Sequence, residues 1–131
     1  MIAITEKTTI IVAVDTETCV LENYFPAFFN QNQYLITTKE RVIESAQILR
    51  PRVLILHKAG SIEETIAYIN EAKELRDIGC IKRIGLITDL RTRGFILDLG
   101  LDIILYRPIT EYKIGVLKKN INSREFVEIS P

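Results

Sequence analysis

Four side chains in this sequence stand where chemistry could be done: Asp15, His57, Thr88 and Arg107. Each closes or follows a short aliphatic and β-branched run, at residues 8–14, 53–56, 84–87 and 103–106. Such runs read as parallel strands buried on both faces. In an open parallel sheet, ligands gather outside the carboxyl ends of the strands, so the four side chains are expected to converge on one rim. A carboxylate there can hold a cation, and an imidazole titrating near neutral pH can move a proton or take a phosphoryl group. A hydroxyl can donate a hydrogen bond, and a guanidinium can clamp an anion.

Each of the four also has a structural reading, and these readings are the expectation. Asp15 caps the first helix or pairs with Arg107. His57 is a hydrogen-bonded rim residue, and Thr88 satisfies a loop group at its strand end. Arg107, just before Pro108, is one half of a structural ion pair.

The elements that would position this rim are read from periodicity. After the first strand, residues 16–31 suggest a helix with an apolar stripe of Leu21, Tyr24, Phe25, Phe28 and Phe29, kinked or broken at Pro26. Residues 34–38 form a second strand. Residues 39–50 place Val42, Ile43, Ala46 and Leu49 on one helical face, and Pro51 stops that helix. After the third strand, Ser61-Ile62-Glu63-Glu64 reads as a capping box, and Gly79 as the end of the helix it opens. The fourth strand leads to a short helix over 90–99, closed by Gly100. The fifth leads to a last helix over 110–122, with Ile114, Leu117 and Ile121 inward. Residues 125–128 are either a short strand or the start of a linker. The order is (βα)5, and right-handed crossovers then give a doubly wound, five-stranded parallel sheet of the flavodoxin-like α/β class. One domain over 1–123 is expected, followed by a tail or linker entry over 124–131.

Composition narrows the function. The chain has 131 residues, 47% hydrophobic and 26% charged, enough for a full core without disulfides or a structural metal. Basic and acidic residues balance at 17 each, giving no global attraction for nucleic acid or acidic lipid. The balance hides a polarity, with 11 acidic against 8 basic residues up to position 80 and 9 basic against 6 acidic beyond it. Cys19 and Cys80 lack motif spacing, so free thiols in a reducing compartment are expected. The start carries no basic region followed by a long apolar core, and no apolar run approaches membrane-spanning length. A cytoplasmic protein is the expectation. No glycine follows the first strand in Val14-Asp15-Thr16-Glu17, and no Gly-x-Ser-x-Gly occurs, which disfavours a nucleotide loop and a hydrolase elbow.

The words at the strand ends carry a resemblance. Gly100-Leu101-Asp102-Ile103-Ile104-Leu105-Tyr106-Arg107-Pro108-Ile109 resembles the fifth strand of response-regulator receiver domains, which usually ends in Lys-Pro and an apolar residue. Ile87-Thr88 is similar to the fourth strand's end, Val14-Asp15 to the acidic pair after the first, and Leu54-Ile55-Leu56-His57 to the third strand, where that family places its phosphoacceptor aspartate. The resemblance covers about residues 8–122 and implies a cis peptide before Pro108. The departures imply a degenerate member, or pseudo-receiver. His57 stands at the acceptor position, Val14 replaces one acid, Arg107 replaces the Lys, and Ile104 stands where the aromatic switch residue would be. One carboxylate beside a His and an Arg is a poor Mg²⁺ site, so neither metal nor cofactor is expected.

The resulting expectation is a phosphorylation-independent receiver-like docking module, not an enzyme, acting in signal transduction by protein–protein contact. One form of it is the N-terminal domain of a longer protein, such as a pilus-assembly localisation ATPase. The expected partner is another protein or a second copy, held through the last two helices and the fifth strand. Contacts are expected at Arg91, Arg93, Tyr106, Tyr112, Lys113 and Lys118. Membrane insertion and direct nucleic-acid binding are not expected. The alternatives are a phosphoryl-accepting two-component switch with an atypical site, or a small-anion sensor on the rim.

Overall fold

Six short, mostly aliphatic runs hydrogen-bond into one parallel sheet: β1 (Ile11–Val14), β2 (Tyr34–Thr37), β3 (Val53–His57), β4 (Arg83–Thr88), β5 (Ile103–Tyr106) and β6 (Val127–Ile129). The computed structural model describes residues 9–14, 20–57 and 61–130. Strand order is β2-β1-β3-β4-β5-β6, so the chain winds outward to β2, returns past β1 and proceeds to β6. The reversal lies between β1 and β3, which defines the switch point of a doubly wound sheet.

Side chains alternate across the strands and seed two cores. Val12, Leu54, Ile84 and Ile104 pack beneath α2 (Val42–Leu49), α3 (Ile62–Asp77) and α4 (Arg93–Ile96). Ile11, Val53, Ile103 and Ile129 pack beneath α1 (Val20–Tyr24) and α5 (Glu111–Asn120). Every residue of β1, β3, β4 and β5 is buried, the signature of strands covered on both faces.

The helix boundaries follow local chemistry. Pro26 ends α1 at Tyr24, and a 3₁₀ turn over Phe25–Ala27 swings Phe25 and Phe29 into edge contacts with each other and with Tyr34. Thr38 accepts the Arg41 amide through its carbonyl, and α2 starts only at Val42. Arg50, at φ 48°, turns the chain out of α2 ahead of Pro51. Ser61 and Glu64 exchange side-chain bonds to each other's amides, the reciprocal box that opens α3. Gly79 and Gly100 take the left-handed conformations that end α3 and the turn after α4. The helix expected over 90–99 is real but broken, with 3₁₀ turns on both sides of the four-residue α4.

One correction concerns strand number. The sheet has six strands where five were expected, because residues 127–129 form β6 in parallel register with β5, pairing Val127 with Ile103 and Ile129 with Leu105. Val127 and Ile129 turn into the α1/α5 core, and Glu128 points to the other face. Cys80 is buried and free; Cys19 lies outside the described residues. No helix among the described residues is long and apolar enough to cross a membrane.

Candidate functional site

The carboxyl ends of β3, β4 and β5 bring three of the four expected rim residues together. His57 is the last residue of β3, Thr88 is the last of β4, and Arg107 follows β5. Asp15 lies outside the described residues. The Arg107 amide donates to the Thr88 carbonyl at 2.8 Å, extending the β4–β5 ladder to the rim.

The Arg107 guanidinium then spans the rim. Nη1 reaches His57 Nε2 at 3.1 Å, and the other edge of the fork donates to Asp89, Nε to Oδ1 at 3.0 Å and Nη2 to Oδ2 at 3.1 Å. An arginine can only donate, so His57 Nε2 accepts, and the ring in this contact is neutral with its proton on Nδ1. The Nε2 lone pair is therefore engaged by Arg107.

Asp89 was missed in the sequence, although a signal was present. It stands one residue past the end of β4, and Arg107 one residue past the end of β5. The register pairs Thr88 with Tyr106, which puts the two side by side. Arg91 also approaches Asp89, at 3.7 Å, from an almost fully exposed position.

Thr88 is fully buried. Its hydroxyl lies 2.8 Å from that of Thr92, and Thr92 donates its one proton to the Asp89 carbonyl at 2.8 Å. Thr88 must then be the donor to Thr92, so it serves the turn after β4. The described cavity beside His57, lined also by Thr65 and Tyr68, is about 20 Å³, space for a water molecule.

The expected contact surface needs two corrections. Tyr106 is 1% exposed, with its hydroxyl donating to the Glu128 carboxylate on β6. Lys113 is 6% exposed, and its ammonium donates to the Tyr106 and Pro108 carbonyls at 2.8 and 2.6 Å. Tyr106 is buried where β6 joins β5, and Lys113 where the start of α5 turns it onto the end of β5. Burial pushes the Lys113 ammonium below its ordinary pKa. Arg93 completes the β6 tie with a forked bond to Glu128, at 2.5 and 3.2 Å. Hydrogen bonds from Arg93 and then Tyr106 hold the Glu128 carboxyl below its usual range, while burial first and Glu128 second push the Tyr106 phenol up to about 12.

Arg91, Tyr112 and Lys118 are exposed, and Arg93 about half so. Arg91 and Arg93 lie on the α4 side of the sheet. Tyr112 and Lys118 lie on α5 and line an open groove of about 730 Å³ with Phe28, Gly115 and Val116. The exposed α4 side also carries Phe95, 66% exposed, which periodicity alone did not mark out. The peptide before Pro108 is cis, as the resemblance implied.

Sheet order and helix placement define the class: this is the flavodoxin-like, receiver-type α/β fold. Among solved structures, a pilus assembly-related protein from Burkholderia pseudomallei superimposes with a TM-score of 0.63 at 13% identity, over 91% of this chain and 93% of that one. A response regulator receiver modulated diguanylate cyclase from Pelobacter carbinolicus gives a TM-score of 0.60 at 13% identity, over 86% of this chain and 91% of that one. No protein-family model matches the sequence, and comparison with curated proteins gives no match.

Proposed function

We propose that the chain is a degenerate receiver domain that works as a phosphorylation-independent docking module, binding another protein or a second copy, and not as an enzyme. The observation that carries this reading is the internal engagement of the rim. His57 accepts from Arg107, Arg107 is forked onto Asp89, and Thr88 donates into the turn that follows. In the family it resembles, these positions receive a phosphoryl group and report it. Here Arg107 is engaged with Asp89 and with His57 Nε2, the Thr88 hydroxyl is engaged with Thr92, and Ile104, at the position of the aromatic switch, is fully buried in the core. The tie from β6 to Tyr106 and Arg93 supports a single, constant state.

The docking face is the outer surface of α4, its preceding turn and α5, with Arg91 in that turn on one side and Tyr112 and Lys118 on the other. Tyr106, tied to Glu128 on β6, and Lys113, turned inward from α5 onto the Tyr106 and Pro108 carbonyls, are buried and are not contacts. Tyrosine and arginine are the types that most often dominate interface energy, while lysine mainly steers encounter. The fold likeness to the pilus assembly-related protein supports a pilus-assembly setting for the module; its place as the N-terminal domain of a longer cytoplasmic protein is part of the proposal.

Arg91→Glu combined with Tyr112→Ala tests the face, since both side chains are exposed and the fold should survive. Sedimentation velocity and affinity capture should show loss of self-association or of a specific partner. Unchanged mass and partners, with loss instead in Thr88→Val or Arg107→Ala, would move the function to the rim and favour the anion-sensor reading.

A further inference from the structure

The opposite end of the sheet carries a concentration of positive charge that docking does not use. Arg52 immediately precedes β3, and Lys82 and Arg83 stand where β4 begins. The Arg52 carbonyl accepts from the amides of both Lys82 and Arg83, each at 3.0 Å, which locks these strand starts side by side. Arg124, in the turn before β6, completes a groove of about 410 Å³ whose polar lining includes Asn122 and Ser123. A neighbouring groove of about 510 Å³ shares Arg52 and Lys82 and adds Arg50.

The cations outnumber their partners. Asp102 is the one carboxylate among the described lining residues, and it is already bound by Arg76 at 2.7 Å and by the Ile84 amide at 2.8 Å. Arg50, Arg52, Lys82 and Arg124 make no ion pair with any described residue. Arg83 lines the groove yet is only 6% exposed. Its Nη2 donates to the Glu125 carbonyl at 3.0 Å, and its Nε has no hydrogen-bond partner among the described residues. The Asp102 carboxylate offsets this burial only in part, since burial still pushes the guanidinium below its ordinary pKa, and a buried guanidinium so placed is costly unless something anionic compensates it.

We propose that this groove binds a di- or triphosphate group, free or carried by a nucleotide. Three arginines and a lysine around one concavity match phosphate oxygens in charge and in fork geometry. The volume suits a small ligand. No aromatic ring is among the described lining residues, so the groove offers no stacking platform for a base and reads the phosphate chain itself. With equal numbers of basic and acidic residues in the whole chain, the attraction is local.

Isothermal titration at constant ionic strength, with inorganic pyrophosphate and with ADP, tests the proposal. Wild type should bind pyrophosphate saturably at one site. Lys82→Ala with Arg124→Ala, both exposed, should weaken binding about tenfold or more. Lys39→Ala with Arg41→Ala, exposed cations beyond the far end of β2, should leave it unchanged. Tighter binding of ADP assigns the source to a nucleotide, and tighter binding of pyrophosphate assigns it to an inorganic phosphate chain. Absence of saturable pyrophosphate binding, or equal weakening in the two double variants, overturns the proposal.

Discussion

Arg107 shows how a single side chain can hold a rim together. Its fork binds Asp89 through two bonds and still reaches His57. Both members of the ion pair keep about a third of their surface in water, at 29% and 35% exposure. Solvent therefore screens the pair, and Asp89→Ala should lower unfolding free energy by only about 1 kcal/mol, measured by urea denaturation. Thr88→Val removes a fully buried donor and leaves the Thr92 oxygen without the hydrogen bond it accepts, which should cost about 1 kcal/mol with little change of volume. His57, Thr88 and Arg107 were legible as neighbours on the rim because an aliphatic run ends at each of them. Asp89 was not singled out, because its role appears only when the β4–β5 register is known. The burial of Tyr106 and Lys113 was illegible for a different reason. Tyrosine and lysine late in a helix–strand unit are ordinary surface residues until a carboxylate or a pair of carbonyls folds onto them.

Among the elements, β6 changes the account most. Residues 125–128 carried both a strand and a linker reading, since four residues with a charge at each end make a weak period-2 signal. What selects the strand is tertiary: the open edge of β5, an apolar core waiting for Ile129, and Arg93 and Tyr106 on the face that Glu128 meets. Glu128→Ala should leave the buried Tyr106 hydroxyl unsatisfied and cost about 1–3 kcal/mol. Its pH dependence has a fixed sign. The folded Glu128 carboxyl lies below its ordinary value, so its contribution is complete above the ordinary carboxyl pKa and is lost as pH falls through the folded value. Tyr106 acts at the other end: its folded pKa is raised to about 12, so its contribution holds below pH ~10 and is lost as pH climbs toward that value. Stability measured across pH should fall at both ends in wild type, and the acid limb should flatten in Glu128→Gln. An unchanged acid limb would mean that the tie contributes nothing in solution. The Ser61 box and the break at Pro26 were legible from the start, because caps and prolines act locally, whereas the helix over 90–99 was legible in its place but not in its division by 3₁₀ turns.

At the scale of the molecule, the sheet separates two ends of different character. The carboxyl-end rim is internally paired, the amino end gathers unpaired cations, and the α4 and α5 faces flank a strand edge sealed by β6. A receiver that switches needs a rim open to a phosphoryl group and a metal. The arrangement here instead favours one fixed platform. The most direct test of that claim is incubation with acetyl phosphate and Mg²⁺, followed by intact-mass spectrometry and sedimentation. The account predicts an unmodified mass and an unchanged association state. A stoichiometric phosphoryl adduct that requires Mg²⁺ and shifts the association state would contradict it and restore the switch.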